Sequence, residues 1–318
     1  MSITERIDSI TRIPPVYISE TPPPPRSVKI ELTARCDLNC FFCASSHRLR
    51  ERDDMDFELY KSLITDLRAN GVEELGLFYL GESFLLDWLP DAINFAKTEC
   101  GFPYIFLTTN GLKATPEKVS SCIKAGLDSL KFSFNHSGPE QFREVTRIDG
   151  ENYGVIVENI RKARDIRDYL EMKAGRRCGI YASSILYDND QRNRMSEAVE
   201  KILPWVDEHY YLPLYNQGAL TSEVSMERGY IPTAGNRGRI GALREPVPCW
   251  SVFTEGHITF DGMLSACCFD HSANWHMGDL KKIPFIEAWH SKPFQSIRGA
   301  HLAHDLTGTP CLECVAIS

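Results

Sequence analysis

Three cysteines stand close together near the start of the sequence. The stretch RCDLNCFFC, residues 35–43, contains Cys36, Cys40 and Cys43, and the next cysteine is Cys100. A structural zinc site is closed by four protein ligands, and a complete cysteine-ligated iron–sulfur cluster also takes four. Either a remote residue completes the coordination shell, or one coordination position is left open for chemistry.

Composition limits the class of protein. The chain has 318 residues, a net charge of −8 and eleven cysteines. It is long enough to bury a large core, and its acidic balance does not attract nucleic acid or anionic membranes. No apolar run approaches the roughly 20 residues of a membrane span, and the start MSITERIDSI does not resemble a signal peptide. We therefore expect a cytoplasmic protein, in which clustered cysteines indicate metal or redox sites rather than disulfides.

Strand-like and helical segments alternate along the first two thirds of the chain. Strands are predicted at 28–33, 74–80, 103–109, 129–135, 179–187 and 206–215, and helices at 57–70, 88–99, 115–125, 151–168 and 191–203. Six strands alternating with helices predict an α/β fold built from parallel βαβ units. The cysteine loop follows the first strand, where the reactive groups of parallel α/β barrels lie.

The periodic pattern ends after this region. Residues 216–248 are rich in Gly and Pro, and residues 253–270 predict a hairpin that turns at Asp261-Gly262. The predicted parts are an N-terminal strap at 1–27 with a Pro-rich stretch at 21–26, a barrel at 28–216, and a linker with a small domain at 217–318. We expect the Pro-rich stretch to form a rigid polyproline II segment against the barrel.

The cysteine loop resembles the signature of the radical S-adenosylmethionine (SAM) superfamily. The match is C-x3-C-x2-C with Phe42 before the last cysteine. The resemblance implies a partial (β/α)6 TIM-like barrel and a [4Fe–4S] cluster on Cys36, Cys40 and Cys43, whose open iron binds SAM. It also implies that SAM is cleaved to a 5′-deoxyadenosyl radical that abstracts hydrogen from a substrate, and that Phe42 packs near the adenine. A zinc site, or three unrelated core cysteines, is the alternative.

Further stretches resemble the SAM-binding motifs of the same superfamily. Residues 79–83 (YLGES) resemble the GGEP loop that receives the SAM amino group, with Leu80 and Ser83 replacing the first Gly and the Pro. The backbone role carries over to Gly81 and Glu82.

Two later stretches complete this resemblance. Ser133 and Asn135 match a Ser-x-Asp stretch whose serine meets the ribose, with Asn in place of Asp. Within 142–163, Arg147 matches the position that pairs with the SAM carboxylate, for which a guanidinium is well suited. A solvated surface arginine is the alternative for Arg147.

A second group of cysteines resembles the twitch module, a shortened SPASM domain. The matching residues are Cys249, Cys267, Cys311 and Cys314. The resemblance implies a small hairpin-plus-helix domain with an auxiliary [4Fe–4S] cluster, although four thiolates also suit zinc. The neighbouring Cys268 is either a buried side chain, a replacement ligand for Cys267, or a hydrogen-atom donor.

The two sites together resemble those of 2-deoxy-scyllo-inosamine dehydrogenase-type enzymes. That resemblance implies oxidation of an alcohol carbon of a sugar or aminocyclitol in the biosynthesis of an antibiotic or another specialised metabolite. The auxiliary cluster would take the electron, and a flavodoxin- or ferredoxin-type protein would supply reducing electrons. Candidate bases or orienting groups are Tyr187, Tyr215 and His257.

Two alternatives keep the cofactors but change the reaction, and a third is not an enzyme. Cys268 as hydrogen donor would make the protein a radical epimerase. Peptide crosslinking is less expected, because about 27 residues precede the first strand and leave no room for a leader-recognition domain. A noncatalytic iron–sulfur or zinc-binding partner protein would require the SAM motifs to be coincidental.

Overall fold

One mixed sheet forms the centre of the computed structural model, which describes residues 2–47, 50–187, 189–235, 247–271, 275 and 277–314. Its strands are β1 Ser27–Ile30, β2 Glu74–Gly76, β3 Tyr104–Thr109, β4 Ser129–Ser133, β5 Gly179–Leu186, β6 Glu208–Pro213, β7 Glu255–Ile258, β8 Met263–Ser265 and β9 Gly278–Asp279. The strand order is β6-β5-β4-β3-β2-β1-β7-β8-β9. Strands β1 to β6 pair in parallel, so their carboxyl ends share one rim. The sheet is open, which confirms the predicted partial barrel.

Helices pack around this sheet. They are α1 Ile3–Thr11, α2 Phe57–Ala69, α3 Leu89–Asn94, α4 Pro116–Ala125, α5 Pro139–Thr146, α6 Asn152–Ala174, α7 Asn189–Ile202, α8 Ser222–Glu227, α9 Ser251–Thr254, α10 Phe285–Trp289 and α11 Lys292–Leu302. Asp56 and Thr115 are the N-cap residues of α2 and α4, and their side chains accept hydrogen bonds from backbone N–H groups in the first turn. Within the described ranges, no helix has the length and apolar composition needed to cross a membrane.

The predicted strands β1 and β2 are shorter than expected. Both leave the sheet early, β1 after Ile30 and β2 after Gly76. The segment after Gly76 closes on itself, because Ser83 Oγ donates to the carbonyl of Leu77 at 2.6 Å. The chain therefore forms loops at the carboxyl rim instead of longer strands.

Helix α1 was not predicted from the sequence. Ser2 and Glu5 form a capping box at its start. Arg6 lies 2.6 Å from Glu74 at the start of β2, and the Ile3 N–H donates to Glu208 at the start of β6. Helix α1 therefore lies across the amino ends of the strands, and tertiary contacts stabilise a segment too short to be helical alone.

The C-terminal module continues the barrel sheet. Strand β7 pairs in parallel with β1, and β8 pairs antiparallel with β7. Gly262 adopts φ +83° at the turn, so the predicted hairpin is present. Helices α10 and α11 follow it. The predicted division at residue 217 stays a prediction.

The Pro-rich stretch contacts both the barrel and the C-terminal helices, since the Arg26 carbonyl accepts hydrogen bonds from the Glu73 and Glu74 N–H groups at the start of β2. The carbonyl of Pro22 accepts a hydrogen bond from His290 Nε2, and that of Pro23 accepts one from Trp289 Nε1. Proline leaves its carbonyl free for such bonds, because the extended segment has no internal hydrogen bonds. This stretch ties the N-terminal segment to the C-terminal module.

Candidate functional site

The first cysteine loop, residues 36–43, is held at the carboxyl rim of the barrel. The Asn39 N–H donates to the Thr146 carbonyl at 3.2 Å, and the Phe41 N–H donates to the Val145 carbonyl at 3.1 Å. Both acceptors lie in the last turn of α5. The end of α5 therefore fixes the loop that carries the three thiols.

The donors of this loop fit an iron–sulfur cluster. Cys36, Cys40 and Cys43 are half-buried free thiols. Burial raises the pKa of Cys36 to about 12 and that of Cys40 well above its usual value, and the neighbouring thiols add to both shifts. Such thiols ionise when iron supplies positive charge. Among the described residues no three His, Cys, Asp or Glu side chains converge on a single metal ion, whereas a cluster spreads its thiolates over separate irons.

The loop at 79–83 packs against the start of the cysteine loop. A Cβ at Gly81 would lie 2.0 Å from the Thr33 carbonyl oxygen, so any larger residue would displace the backbone. The Glu82 N–H donates to the Arg35 carbonyl at 2.8 Å. The two predicted SAM-binding segments are therefore in direct contact.

The Glu82 side chain forms hydrogen bonds that hold the 79–83 loop against β3 and the residues that follow it. Its carboxylate accepts hydrogen bonds from the Phe84 N–H at 3.0 Å, the Thr109 hydroxyl at 2.9 Å and the Asn110 N–H at 2.7 Å. Burial raises the pKa of Glu82 to about 7, although the bonds from Asn110 and Phe84 oppose the shift. Asn110 Nδ2 in turn lies 3.8 Å from Cys36 Sγ. The Glu82 carboxylate and N–H are thus both bonded within the protein, and the SAM contact of Glu82 stays a prediction.

An aromatic cluster stands beside the cysteine loop. The Tyr187 ring lies 6.1 Å from that of Phe42 and 5.1 Å from that of Tyr230. The Tyr187 hydroxyl donates to the Asn135 carbonyl, and the Asn135 side chain accepts from the Ile185 N–H, both at 3.2 Å. Burial raises the pKa of Tyr187 well above 10. The buried phenol is held as a donor, which does not favour its predicted role as base.

Ser133 and Arg147 lie at the same rim. Ser133 ends β4 and is half-buried, and Arg147 follows α5 and is exposed. Arg147 adopts φ +60°, a conformation that residues other than Gly and Asn rarely take. It directly follows Thr146, the acceptor of the Asn39 bond. The SAM contacts of Ser133, Asn135 and Arg147 stay predictions.

The second group of cysteines surrounds a cavity of about 210 Å³. The cysteines that line it are Cys249, Cys267, Cys268, Cys311 and Cys314. The Phe269 N–H donates to Cys267 Sγ at 3.4 Å. These thiols fit an iron–sulfur cluster, and by donor chemistry alone they would also suit zinc; Asp270 and His271 line the same cavity. The structure brings these cysteines to one cavity although they lie far apart in the chain, and their role as cluster ligands stays a prediction.

A larger cavity of about 390 Å³ occupies the barrel interior. It extends from α1 at the amino ends to Tyr215 beyond β6. Trp250, Cys268 and Phe269 line both this cavity and the cysteine cavity. The two cavities therefore share a wall, and Cys268 lies in it.

His257 lies on β7 and lines neither cavity. It is fully buried, and its Nε2 is 3.1 Å from Glu255. Burial lowers the pKa of His257, and the Glu255 charge opposes that shift. Among the described residues that line the two cavities, His257 does not occur. Its predicted role as base has no support from this position.

Sequence reasoning missed the charged residues inside the barrel. Lys29 on β1, Lys131 on β4 and Glu255 on β7 all line the larger cavity. The signal was available, because Val28 and Ile30 on either side of Lys29 are fully buried and apolar. Alternate residues of a strand face opposite sides, so a polar residue between two apolar ones faces the barrel interior. Cys122 and Cys178, which belong to neither cysteine group, are buried in the hydrophobic core.

Sequence families identify the two parts of the chain. The family described as the radical SAM superfamily matches residues 30–195, just over half of the chain. This protein belongs to the radical SAM superfamily. The SPASM family, described as an iron–sulfur cluster-binding domain, matches residues 249–315. These domains confirm the predicted cofactors, namely SAM, a [4Fe–4S] cluster and an auxiliary iron–sulfur cluster.

Curated relatives include several GTP 3',8-cyclases. That of Limosilactobacillus fermentum is 27% identical over 268 residues, which cover 76% of this chain and 79% of the relative. That of Heliobacterium modesticaldum is 31% identical over 124 residues, covering 38% of this chain. The matches to the Chlorobaculum tepidum and Heliobacterium cyclases span only 36% and 37% of those proteins.

Solved structures share the fold of this radical SAM protein. BtrN in complex with AdoMet and 2-DOIA has a TM-score of 0.55 at 15% identity, covering 87% of this chain and 86% of BtrN. Streptococcus suis SuiB bound to precursor peptide SuiA has a TM-score of 0.64 at 13% identity, covering 87% of this chain and 67% of SuiB. At these identities the likeness concerns the fold alone.

Proposed function

We propose that this protein oxidises an alcohol carbon of a sugar or aminocyclitol to a ketone. Cys36, Cys40 and Cys43 would hold the SAM-binding cluster, and four of the C-terminal cysteines would hold the auxiliary one. When bound, SAM and its cluster supply a 5′-deoxyadenosyl radical that removes a carbon-bound hydrogen, and the auxiliary cluster supplies an electron acceptor.

The shared wall between the two cavities supports an oxidation. After loss of one hydrogen atom, an alcohol must still lose one proton and one electron to become a ketone. Trp250, Cys268 and Phe269 separate the barrel cavity from the auxiliary cysteines by one layer of side chains. An epimerisation has no need of an electron acceptor at that place. Of the three predicted bases, Tyr215 is the one that lines the cavity and would orient the hydroxyl.

Anaerobically reconstituted protein with SAM and a reductant provides the test. Neutral, acidic and amino sugars and aminocyclitols are screened by mass spectrometry, with dithionite replacing the unidentified flavodoxin- or ferredoxin-type donor. We expect a product lighter by two hydrogens, formed with an equal amount of 5′-deoxyadenosine. Cys311→Ala/Cys314→Ala should keep SAM cleavage and lose the product. A product of unchanged mass would contradict the proposal.

The position of Cys268 supports a second candidate, a radical epimerase. Its thiol lines the barrel cavity and is a candidate for returning hydrogen to the opposite face of a substrate radical. In heavy water such a product would carry one deuterium, and Cys268→Ala would abolish its formation. The same screen therefore separates the two candidates.

The printed functions of the relatives add two substrate classes to the screen. GTP is included because curated relatives are named GTP 3',8-cyclase. The peptide SuiA is included because the SuiB structure contains it. Consumption of GTP or a peptide, with no oxidation of any sugar or aminocyclitol, would replace the dehydrogenase proposal.

A further inference from the structure

The barrel cavity carries an unbalanced positive charge. The charged residues among its described lining are Arg6, Lys29, Lys131, Glu74 and Glu255. Arg6 lies 2.6 Å from Glu74, and Lys29 lies 2.8 Å from Glu255. Three cations and two carboxylates leave a net charge of +1. Because the other two cations are paired, the excess charge lies on Lys131.

Lys131 has no acidic partner among the residues that the structure describes. Its ammonium lies 5.9 Å from the centre of the Tyr210 ring, a weak contact at that distance. Burial lowers the pKa of Lys131 to about 8, and the charge of Lys29 contributes to this shift. Lys131 is half-buried, and a cation partly removed from water without a counter-charge is destabilising, so binding of an anion would relieve that cost.

The rest of the cavity suits a compact ring-shaped molecule. Phe78 and Phe106 line it with their rings 5.6 Å apart. Thr108 and Tyr215 add hydroxyl groups near the carboxyl rim. Binding sites for small molecules commonly combine apolar walls with a few polar groups that fix orientation. Aromatic walls would pack against the C–H face of a sugar, and the hydroxyls would meet its oxygens.

We propose that Lys131 binds an anionic group of the substrate, a carboxylate or a phosphate carried by a sugar. The sugar class rests on the proposed function, whereas the preference for an anion rests on the charges of the cavity. An aminocyclitol would bring a second cation next to Lys131. Glu74 and Glu255 would not neutralise that added charge, because each is already paired with a cation. The inference therefore selects an acidic sugar from the substrates proposed above.

Glucose and three of its charged derivatives provide the test. Binding of D-glucuronate, D-glucose 6-phosphate, D-glucose and D-glucosamine to the SAM-loaded, reconstituted protein is measured by calorimetry without reductant. We expect one or both acidic sugars to bind at least about tenfold more tightly than glucose and glucosamine, as a charge-assisted hydrogen bond provides. Tighter binding of glucuronate would indicate a site for a carboxylate, and tighter binding of glucose 6-phosphate a site for a phosphate.

Variants assign this preference to one side chain. Lys131→Met should reduce the affinity for the acidic sugar to that for glucose, and Lys131→Arg should retain most of the preference. Lys124→Met is the matched control, because Lys124 is exposed in the last turn of α4 and should change nothing.

Two results would overturn the inference. One is a wild-type protein that binds neither acidic sugar more tightly than glucose and glucosamine, including one that binds none of the four. The other is an acidic-sugar preference that persists in folded Lys131→Met. The wild-type comparison decides the matter even if that variant does not fold. Since no SAM is cleaved in this experiment, failure of the proposed oxidation leaves its result unchanged.

Discussion

The two cysteine sites are built in opposite ways. Cys36, Cys40 and Cys43 lie in one loop that is fixed by backbone bonds to the end of α5. The C-terminal thiols come from distant segments of the chain, Cys249, the hairpin and the final turn. The thiols of the first site are neighbours in the sequence, whereas those of the second come together only once the module has folded. Disturbing the packing of the C-terminal module should therefore affect one site and spare the other.

Arg298 on α11 is a buried side chain that holds the C-terminal module together. Its guanidinium donates to the Val252 carbonyl at 2.8 Å and to the Trp289 carbonyl at 2.7 Å. It also contacts the Phe294 ring at 4.1 Å and donates to the Glu20 carbonyl. One side chain thus links α9, α10 and α11 with the N-terminal segment.

Removal of the thiols gives the largest contrast between the sites. Cys36→Ala/Cys40→Ala/Cys43→Ala should lower the iron content from about eight to about four per chain, because each [4Fe–4S] cluster carries four irons. SAM cleavage should be abolished. Cys311→Ala/Cys314→Ala should lose a similar amount of iron and still cleave SAM. Iron and sulfide analysis with EPR makes the comparison. A wild type with about four irons and bound zinc would remove the internal electron acceptor.

Arg298→Met should disturb the second site alone. We expect the free energy of unfolding to fall by about 3 kcal/mol, because the two buried carbonyls of Val252 and Trp289 lose a charged donor. The auxiliary cluster should be lost at a lower urea concentration than the SAM-binding cluster, as followed by absorbance and EPR.

The matched control for this variant is Arg161→Met. Arg161 forms partly exposed pairs with Glu158 and Asp165 along α6, and such pairs contribute little to stability. Simultaneous loss of both clusters in Arg298→Met would mean that the module and the barrel unfold as one unit.

The same contrast explains what the sequence could predict. The loop with Cys36 and the alternation of strands and helices are local patterns, so the barrel and the first site were both predicted. The pairing of β7 with β1 joins residues more than 200 positions apart, as Val28 faces Gly256, and no local pattern specifies it. Helix α1 depends on Glu74 and Glu208, and the lack of an acidic partner for Lys131 within the described part of the chain depends on neighbouring strands. These features arise from tertiary contacts alone.

Glu82→Gln, next to the first cysteine site, should give the smallest change in stability of these variants. At pH 5 the Glu82 side chain is the protonated acid, in which both oxygens can still accept, whereas the amide has one acceptor oxygen, so the Asn110 N–H or the donors at the other oxygen lose their partner. We expect the free energy of unfolding of the apoprotein to fall by about 2 kcal/mol at pH 5, as measured in urea. The exposed Glu144→Gln is the control and should have no effect.

The pH dependence of this variant tests the buried carboxyl directly. The pKa of Glu82 is raised by burial from 4.5 to about 7, so the folded protein holds this proton more tightly than the unfolded chain. The stability that it contributes is complete below pH 4.5 and is lost as the pH rises through about 7. Gln has no such titration, so the gap between wild type and Glu82→Gln should narrow over this range. A gap that widens with pH would mean that the three donors outweigh burial and favour the ionised carboxylate.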